Sequence, residues 1–199
     1  MRKITVLIAV LVLSLNLSAQ DIFEFKFFPS VNFGFFLNPE DVNNYIANDL
    51  SSYSIEFGTT DIIMSFNLGI GGTFRFFKLF EVQPLLEYSF APKIISGADE
   101  DYSFNKFSGG MMANFLVPLT PTKNNSIIIG AGILYNSMTF EESSGSSVNP
   151  RFQTGVSLNN SRFNPQVILS YDLANATDDE YEGFDLNYSS IRIGVNLNF

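Results

Sequence analysis

The sequence predicts an all-β fold: an eight-stranded antiparallel up-and-down transmembrane β-barrel with a short helix in its first outer loop. Three observations carry this expectation. Eight stretches alternate apolar and polar residues with a period of two, every charge within them lies on one side of that alternation, and the connections are alternately long and short.

Period two is the mark of a strand, because successive side chains leave its two faces in turn. In the first stretch Val31, Phe33, Phe35 and Leu37 share a face against Asn32, Gly34 and Phe36. The second sets Ile62, Met64, Phe66, Leu68, Ile70, Phe74 and Phe76 against Ser65, Asn67, Gly69, Gly71, Thr73 and Arg75. The third sets Val82, Leu86, Tyr88 and Phe90 against Gln83, Glu87 and Ser89. The fourth sets Phe107, Met111, Ala113, Phe115 and Val117 against Ser108, Gly110, Met112 and Asn114. The fifth has Ile127, Ile129, Ala131, Ile133 and Tyr135 against Gly130, Gly132 and Asn136. The sixth, the shortest, has Phe152, Val156 and Leu158 against Gln153, Gly155 and Ser157. The seventh has Phe163, Val167, Leu169, Tyr171 and Leu173 against Asn164, Gln166, Ser170 and Asp172. The eighth has Ile191, Ile193, Val195, Leu197 and Phe199 against Ser190, Arg192, Gly194, Asn196 and Asn198.

No Asp, Glu, Lys or Arg falls on the apolar side, although 16% of the chain is charged. Arg75, Glu87, Lys106, Asp172 and Arg192 all lie on the other side. A Lys or Arg facing the middle of a bilayer costs roughly 2–4 kcal/mol in a barrel. The apolar side is therefore expected to meet lipid and the polar side to fill the lumen. A barrel of eight strands is just wide enough to be filled by side chains. Glu87 and Arg192 are expected near mid-height in one lumen polar network, with Arg75 lower and Asp172 higher. The inward glycines leave room for larger lumen residues.

Residues 38–61, 94–103, 141–150 and 174–185 read as long polar connections, 77–80 and 159–162 as short ones, and 118–125 as intermediate. Long outer loops and short periplasmic turns are usual for bacterial barrels. That parity places both mature termini in the periplasm. Tyr88, Tyr135 and Tyr171 are expected at one membrane interface, and Phe76, Phe80, Phe115, Phe163 and Phe199 at the other. Pro29, Pro84 and Pro165 cannot donate to a ladder, so they require a bulge or a missing partner.

In the first long connection Asn38 can cap a helix, Pro39 suits its first position, and Glu40 and Asp41 favour its N-terminal dipole. The helix is expected over 39–50, with Val42, Tyr45, Ile46 and Leu50 as a partly apolar stripe.

Arg2 and Lys3, the apolar run from Ile4 to Leu13, and Ser18 and Ala19 together read as a secretory leader cleaved after Ala19 or Gln20. Residues 1–20 are thus expected to be a signal peptide and 21–199 the barrel domain.

Composition closes off several chemistries. The chain has no His and no Cys. Histidine-based acid–base catalysis, thiol catalysis, disulfides and the commonest zinc ligands are absent. A net charge of −9 argues against nucleic acid. Acid clusters at 99–101, 141–142 and 178–180 could attract Ca²⁺ or Mg²⁺, but no ligand spacing accompanies them and solvated loops are the simpler reading. No cofactor is expected.

The last eight residues, Arg192-Ile193-Gly194-Val195-Asn196-Leu197-Asn198-Phe199, resemble the C-terminal β-signal of bacterial outer-membrane proteins. Arg192, Gly194, Leu197 and Phe199 fill its polar, glycine and two hydrophobic places. That resemblance implies insertion by the barrel-assembly machinery. The mature chain resembles the small barrels typified by OmpX and the membrane domain of OmpA. The segment Phe80-Glu81-Val82-Gln83-Pro84-Leu85-Leu86-Glu87-Tyr88, with the Ser-Ala-Gln leader ending, is similar to the Bacteroidota outer membrane beta-barrel or PorT-like group.

The resemblance implies a bacterial outer-membrane location, lipid as the surrounding partner, and a role as adhesin, surface-integrity protein or secretion accessory. The chain ends at Phe199, so OmpA's peptidoglycan anchoring is not expected to transfer. A structural or surface-interaction role through the outer loops, with an unidentified surface ligand or envelope protein, is the leading expectation. A narrow pore, a secretion or assembly accessory, and a soluble lipocalin-like binding barrel are the alternatives.

Overall fold

The computed structural model describes residues 23–37, 64–93, 102–119, 125–140, 143–158, 163–177 and 185–199. The leader, the 39–50 helix and the three acid clusters fall outside them.

Ten strands follow one another: β1 (Phe23–Phe36), β2 (Met64–Phe76), β3 (Phe80–Lys93), β4 (Tyr102–Pro118), β5 (Asn125–Phe140), β6 (Ser143–Leu158), β7 (Asn164–Asp172), β8 (Asn175–Thr177), β9 (Asp185–Asn187) and β10 (Ser190–Asn198). Eight of them close into one antiparallel barrel in the order β1-β10-β7-β6-β5-β4-β3-β2. The short β8 and β9 pair with each other and carry the β7–β10 hairpin beyond the barrel wall. Each barrel strand pairs with the next barrel strand along the chain, and β1 meets β10, so the sheet closes on itself.

Burial follows the alternation. Along β10 the pattern is strictly buried, exposed, buried, from Ser190 to Asn198. The exposed set is apolar: Phe33, Leu68, Ile129, Ile133, Phe152, Leu169, Ile193 and Phe199 all turn outward. The buried set is largely polar, including Asn67, Arg75, Glu81, Glu87, Lys106, Asn114, Arg151, Gln166, Asp172 and Arg192. A soluble binding barrel would show the reverse, with a greasy interior and a polar exterior. The lumen also holds an apolar patch, where Leu116, Ile128 and Ile168 pack together.

The three strand prolines sit where one side of the ladder lacks a bridge. Register is kept across the Pro84 gap, and beside Pro29 and Pro165 the ladder starts or ends, so a missing partner and not a bulge accommodates each. Pro84 pairs with Met111 on β4, while the β2–β3 ladder skips from Gly71↔Leu85 to Phe74↔Val82. Pro29 pairs with Ile70, and the β1–β10 ladder starts only at Ser30↔Asn196. Pro165 pairs with Leu197, and the β6–β7 ladder ends at Ser157↔Gln166.

Two expectations need correcting. The 141–150 segment is not a long loop: β5 and β6 stay paired out to Phe140↔Ser143, with only residues 141–142 between them. The sixth stretch is accordingly one of the longest strands, with 16 residues, rather than the shortest. Its first half, Ser-Ser-Gly-Ser-Ser-Val-Asn, has no apolar alternation, because β5 holds it in the sheet. At the opposite end, the β2–β3 turn uses Phe77 (φ 54°) and Lys78 (φ 58°) in left-handed conformations. Leu79 N–H donates to the Phe76 carbonyl at 3.1 Å. This is the handedness that matches strand twist in tight hairpins, built here without glycine.

Candidate functional site

The lumen is where the sheet brings unlike charges together, and three of its long residues have room for a simple reason. Arg192 stands opposite Gly34, Glu87 opposite Gly69, and Arg151 opposite Gly132. Each glycine leaves space for its neighbour's side chain to cross the interior.

Nearest the end that carries Phe23 and Phe199, Arg75 and Glu81 face each other across β2 and β3. Arg75 Nε donates to Glu81 Oε1 at 2.8 Å, and Nη2 reaches the same oxygen at 2.5 Å. The other carboxylate oxygen accepts from Gln166 at 3.1 Å and Gln83 at 3.3 Å. Glu24 approaches Arg75 from β1 at 3.6 Å. Thr73 Oγ1 donates to Asn198 Oδ1 at 2.8 Å and so ties β2 to the last strand.

Further along the axis five charges share one cluster. Glu87 Oε1 accepts from Arg192 Nη1 at 2.6 Å and from Arg151 Nη2 at 3.0 Å. Asp172 Oδ2 accepts from Lys106 Nζ at 2.6 Å, Arg151 Nη2 at 2.9 Å and Arg192 Nη1 at 3.2 Å. All five residues are buried. They come from β3, β4, β6, β7 and β10, so only the closed barrel assembles them.

Glu87 and Arg192 thus touch directly, and Arg75 belongs to the separate lower group. Asp172 does not stand above this cluster, as its position late in the seventh stretch suggested, but within it. It lies directly across the ladder from Arg151. Arg151 and Glu81 escaped the sequence reading. Both lie on the polar parity, one step before Gln153 and one before Gln83. Extending each stretch by two residues would have found them.

Beyond the five-charge cluster an aromatic group crosses the lumen. Phe104 and Tyr188 stack with centroids 3.6 Å apart, and Phe36 packs against both at 5.3 and 5.7 Å. A small interior cavity of about 20 Å³ is bordered by Phe28, Ser30, Asn32, Glu87, Arg151 and Arg192.

On the outside, Tyr88, Tyr135 and Tyr171 all point away from the axis. Tyr88 donates to Asn105 at 2.6 Å. At the end carrying Phe23 and Phe199, Phe23, Phe25, Phe74, Phe76 and Phe80 form a run of neighbouring rings, and Phe163 meets Phe199 edge-on at 5.2 Å. Of the four C-terminal residues expected to form an assembly signal, Leu197 and Phe199 face outward, whereas Arg192 and Gly194 face the lumen.

At the opposite end, Ser143–Asn149 of β6 has a ladder partner on β5 alone; the β6–β7 ladder begins only at Arg151. Beside it, Asn149 Nδ2 donates to the Asn175 carbonyl at 3.4 Å. Among the described residues this stretch presents a strand edge above the closed wall.

No family model and no curated protein matches the chain. Solved structures do. Neisserial surface protein A aligns over 88% of this chain and 97% of its own length, with 12% identity and a TM-score of 0.57. The attachment invasion locus protein of Yersinia pestis aligns over 90% and 99% at 13% identity, with a TM-score of 0.41. The N-terminal barrel domain of Pseudomonas aeruginosa OprF aligns over 87% and 97% at 11% identity, with a TM-score of 0.38. The likeness to the Neisserial protein speaks to fold and not to the narrower PorT-like grouping. Taken with the closed register, the greasy exterior and the charged lumen, it gives this chain the fold of the small eight-stranded outer-membrane β-barrels.

Proposed function

We propose that this protein is an integral barrel of the bacterial outer membrane that works through its outer surface, not as a pore or an enzyme. The observation that carries this reading is the filled lumen. A five-charge cluster and the Phe36, Phe104 and Tyr188 group lie across the axis, and the cavity beside Arg151 and Arg192 is only about 20 Å³. A path for solutes would need that packing to open. The sequence has no histidine to supply the usual base of membrane-embedded hydrolases.

The rest follows from the orientation. Residues 1–20 act as a cleaved leader, the termini face the periplasm, and Arg192, Gly194, Leu197 and Phe199 serve as the signal for the barrel-assembly machinery. Tyr88, Tyr135 and Tyr171 lie at the outer interface. Among the described residues, Ser143–Asn149 of β6 has no ladder partner on the β7 side, which supports an outward role, since unpaired strand edges accept extended peptide segments. The surface ligand or envelope protein that uses this end remains to be captured.

Planar-bilayer recording of the purified, refolded chain tests the reading. The expected result is no sustained conductance; a steady open channel overturns it and favours the narrow pore. Carbonate extraction of cell envelopes tests the location, and release of the protein into the soluble fraction would remove the membrane assignment.

A further inference from the structure

The charged cluster of the lumen is out of balance. Lys106, Arg151 and Arg192 supply three positive charges, and Glu87 and Asp172 supply two negative ones. The lower pair of Arg75 and Glu81 is balanced, and Glu24 and Lys26 pair at the rim at 2.7 Å. Among the described residues, the interior therefore keeps one positive charge in excess. A buried charge without a counter-charge is costly, and barrel lipid offers none from outside.

The same cluster holds donors that reach nothing. Arg192 Nε and Nη2 and Arg151 Nε are buried without a hydrogen-bond partner. Both arginines border the cavity of about 20 Å³, as do Ser30 and Asn32, which add a hydroxyl and an amide. A site of that size takes one small species, and a single excess positive charge calls for a monovalent one. Glu87 borders it too, but its oxygens already accept from Arg151 and Arg192.

We propose that this cavity is a binding site for one small monovalent anion of halide size, held beside Arg151 and Arg192. The anion completes the charge of the cluster, much as a structural metal completes a ring of carboxylates. It enters as the barrel closes, because the five contributing strands surround the site only then. The inference rests on which side of the sheet faces the lumen, not on the surface role proposed above. Conductance or partner binding can therefore fail without touching it.

Bromide is the probe. Crystals grown or soaked in sodium bromide should show one anomalous peak beside Arg151 and Arg192. The temperature at which the folded form converts on a gel should be several degrees higher in sodium chloride than in sodium gluconate of equal ionic strength, since a ligand specific to the folded state stabilises it by mass action. Lys106→Met removes the excess charge without touching the cavity lining, and it should abolish both effects. Lys106→Arg should keep both. Equal transition temperatures in chloride and gluconate for the unmodified protein, with water and no bromide at the site, would overturn the proposal and point to a Lys106 that sheds its proton. That comparison stands even if Lys106→Met fails to fold. Bromide that persists in a folded Lys106→Met barrel would also refute it, because charge excess would not be what recruits the ion.

Discussion

The two charged groups of the lumen are built on opposite plans. Arg75 and Glu81 lie six residues apart, on either side of the β2–β3 turn, and are partners in one ladder. The second oxygen of Glu81 accepts from Gln83 and Gln166, and Arg75 Nη1 reaches Glu24. The Glu87 group draws on five strands, and its contacts span up to 105 residues of chain, from Glu87 to Arg192. The Arg75–Glu81 pair itself can form when a single hairpin forms. The second exists only once the last strand has met the rest of the sheet. One group therefore reports local pairing and the other reports closure.

Removing Glu87 should produce the largest effect. Glu87→Leu leaves Arg151 and Arg192 to share Asp172 alone, and breaking a buried ion pair from one side costs about 3–5 kcal/mol. The urea midpoint of barrel refolded in vesicles measures it. Glu87→Leu combined with Arg192→Leu should cost less than the two single changes added together, because the pair is coupled. Additive losses would mean that the direct contact at 2.6 Å contributes little.

Glu81→Leu should be milder, at about 1–3 kcal/mol. Arg75 keeps Glu24 at 3.6 Å and lies at the end nearer water. If Glu81→Leu costs as much as Glu87→Leu, the distinction between a hairpin pair and a closure cluster fails.

The reach of sequence follows the same division. Which side of each strand faces inward was legible, because period two is a property of the local backbone. The charge rule was legible because hydrocarbon penalises every exposed charge, whatever its neighbours. Height and azimuth were not. They depend on strand stagger around the closed barrel, which is why Asp172 was expected above a cluster it belongs to. Arg151 was hidden for another reason. It follows Pro150 and a run of Ser and Gly that reads as a loop, and β5 makes that run a strand.

Between those charged effects and the exterior lies the packing of Phe28 on Gly71. The Phe28 ring is buried in the lumen against the place where a Gly71 side chain would stand, and the Pro84 carbonyl is 2.6 Å from that same point. Gly71→Ala must push the ring aside, and overpacking of this kind costs about 1–3 kcal/mol. Phe28→Ala in the same chain should recover part of the loss, read as a rise in the urea midpoint. No recovery would place the strain at the backbone of β3 instead.

The smallest effect belongs to the exterior. Phe163 and Phe199 meet edge-on at 5.2 Å, a geometry worth about 0.5–1.5 kcal/mol beyond the area buried. Truncating Phe163 to Ala should cost little more than that, since lipid chains take over the contacts a side chain gives up and are as apolar as the ring they replace. Phe199 and the rest of the proposed assembly signal stay in place in this variant, so the equilibrium midpoint reads packing without a change in the C-terminal residues. A loss from Phe163→Ala as large as that from Glu87→Leu would mean that this end of the wall is held by its own aromatic contacts, and that the lumen is not the principal source of the barrel's stability.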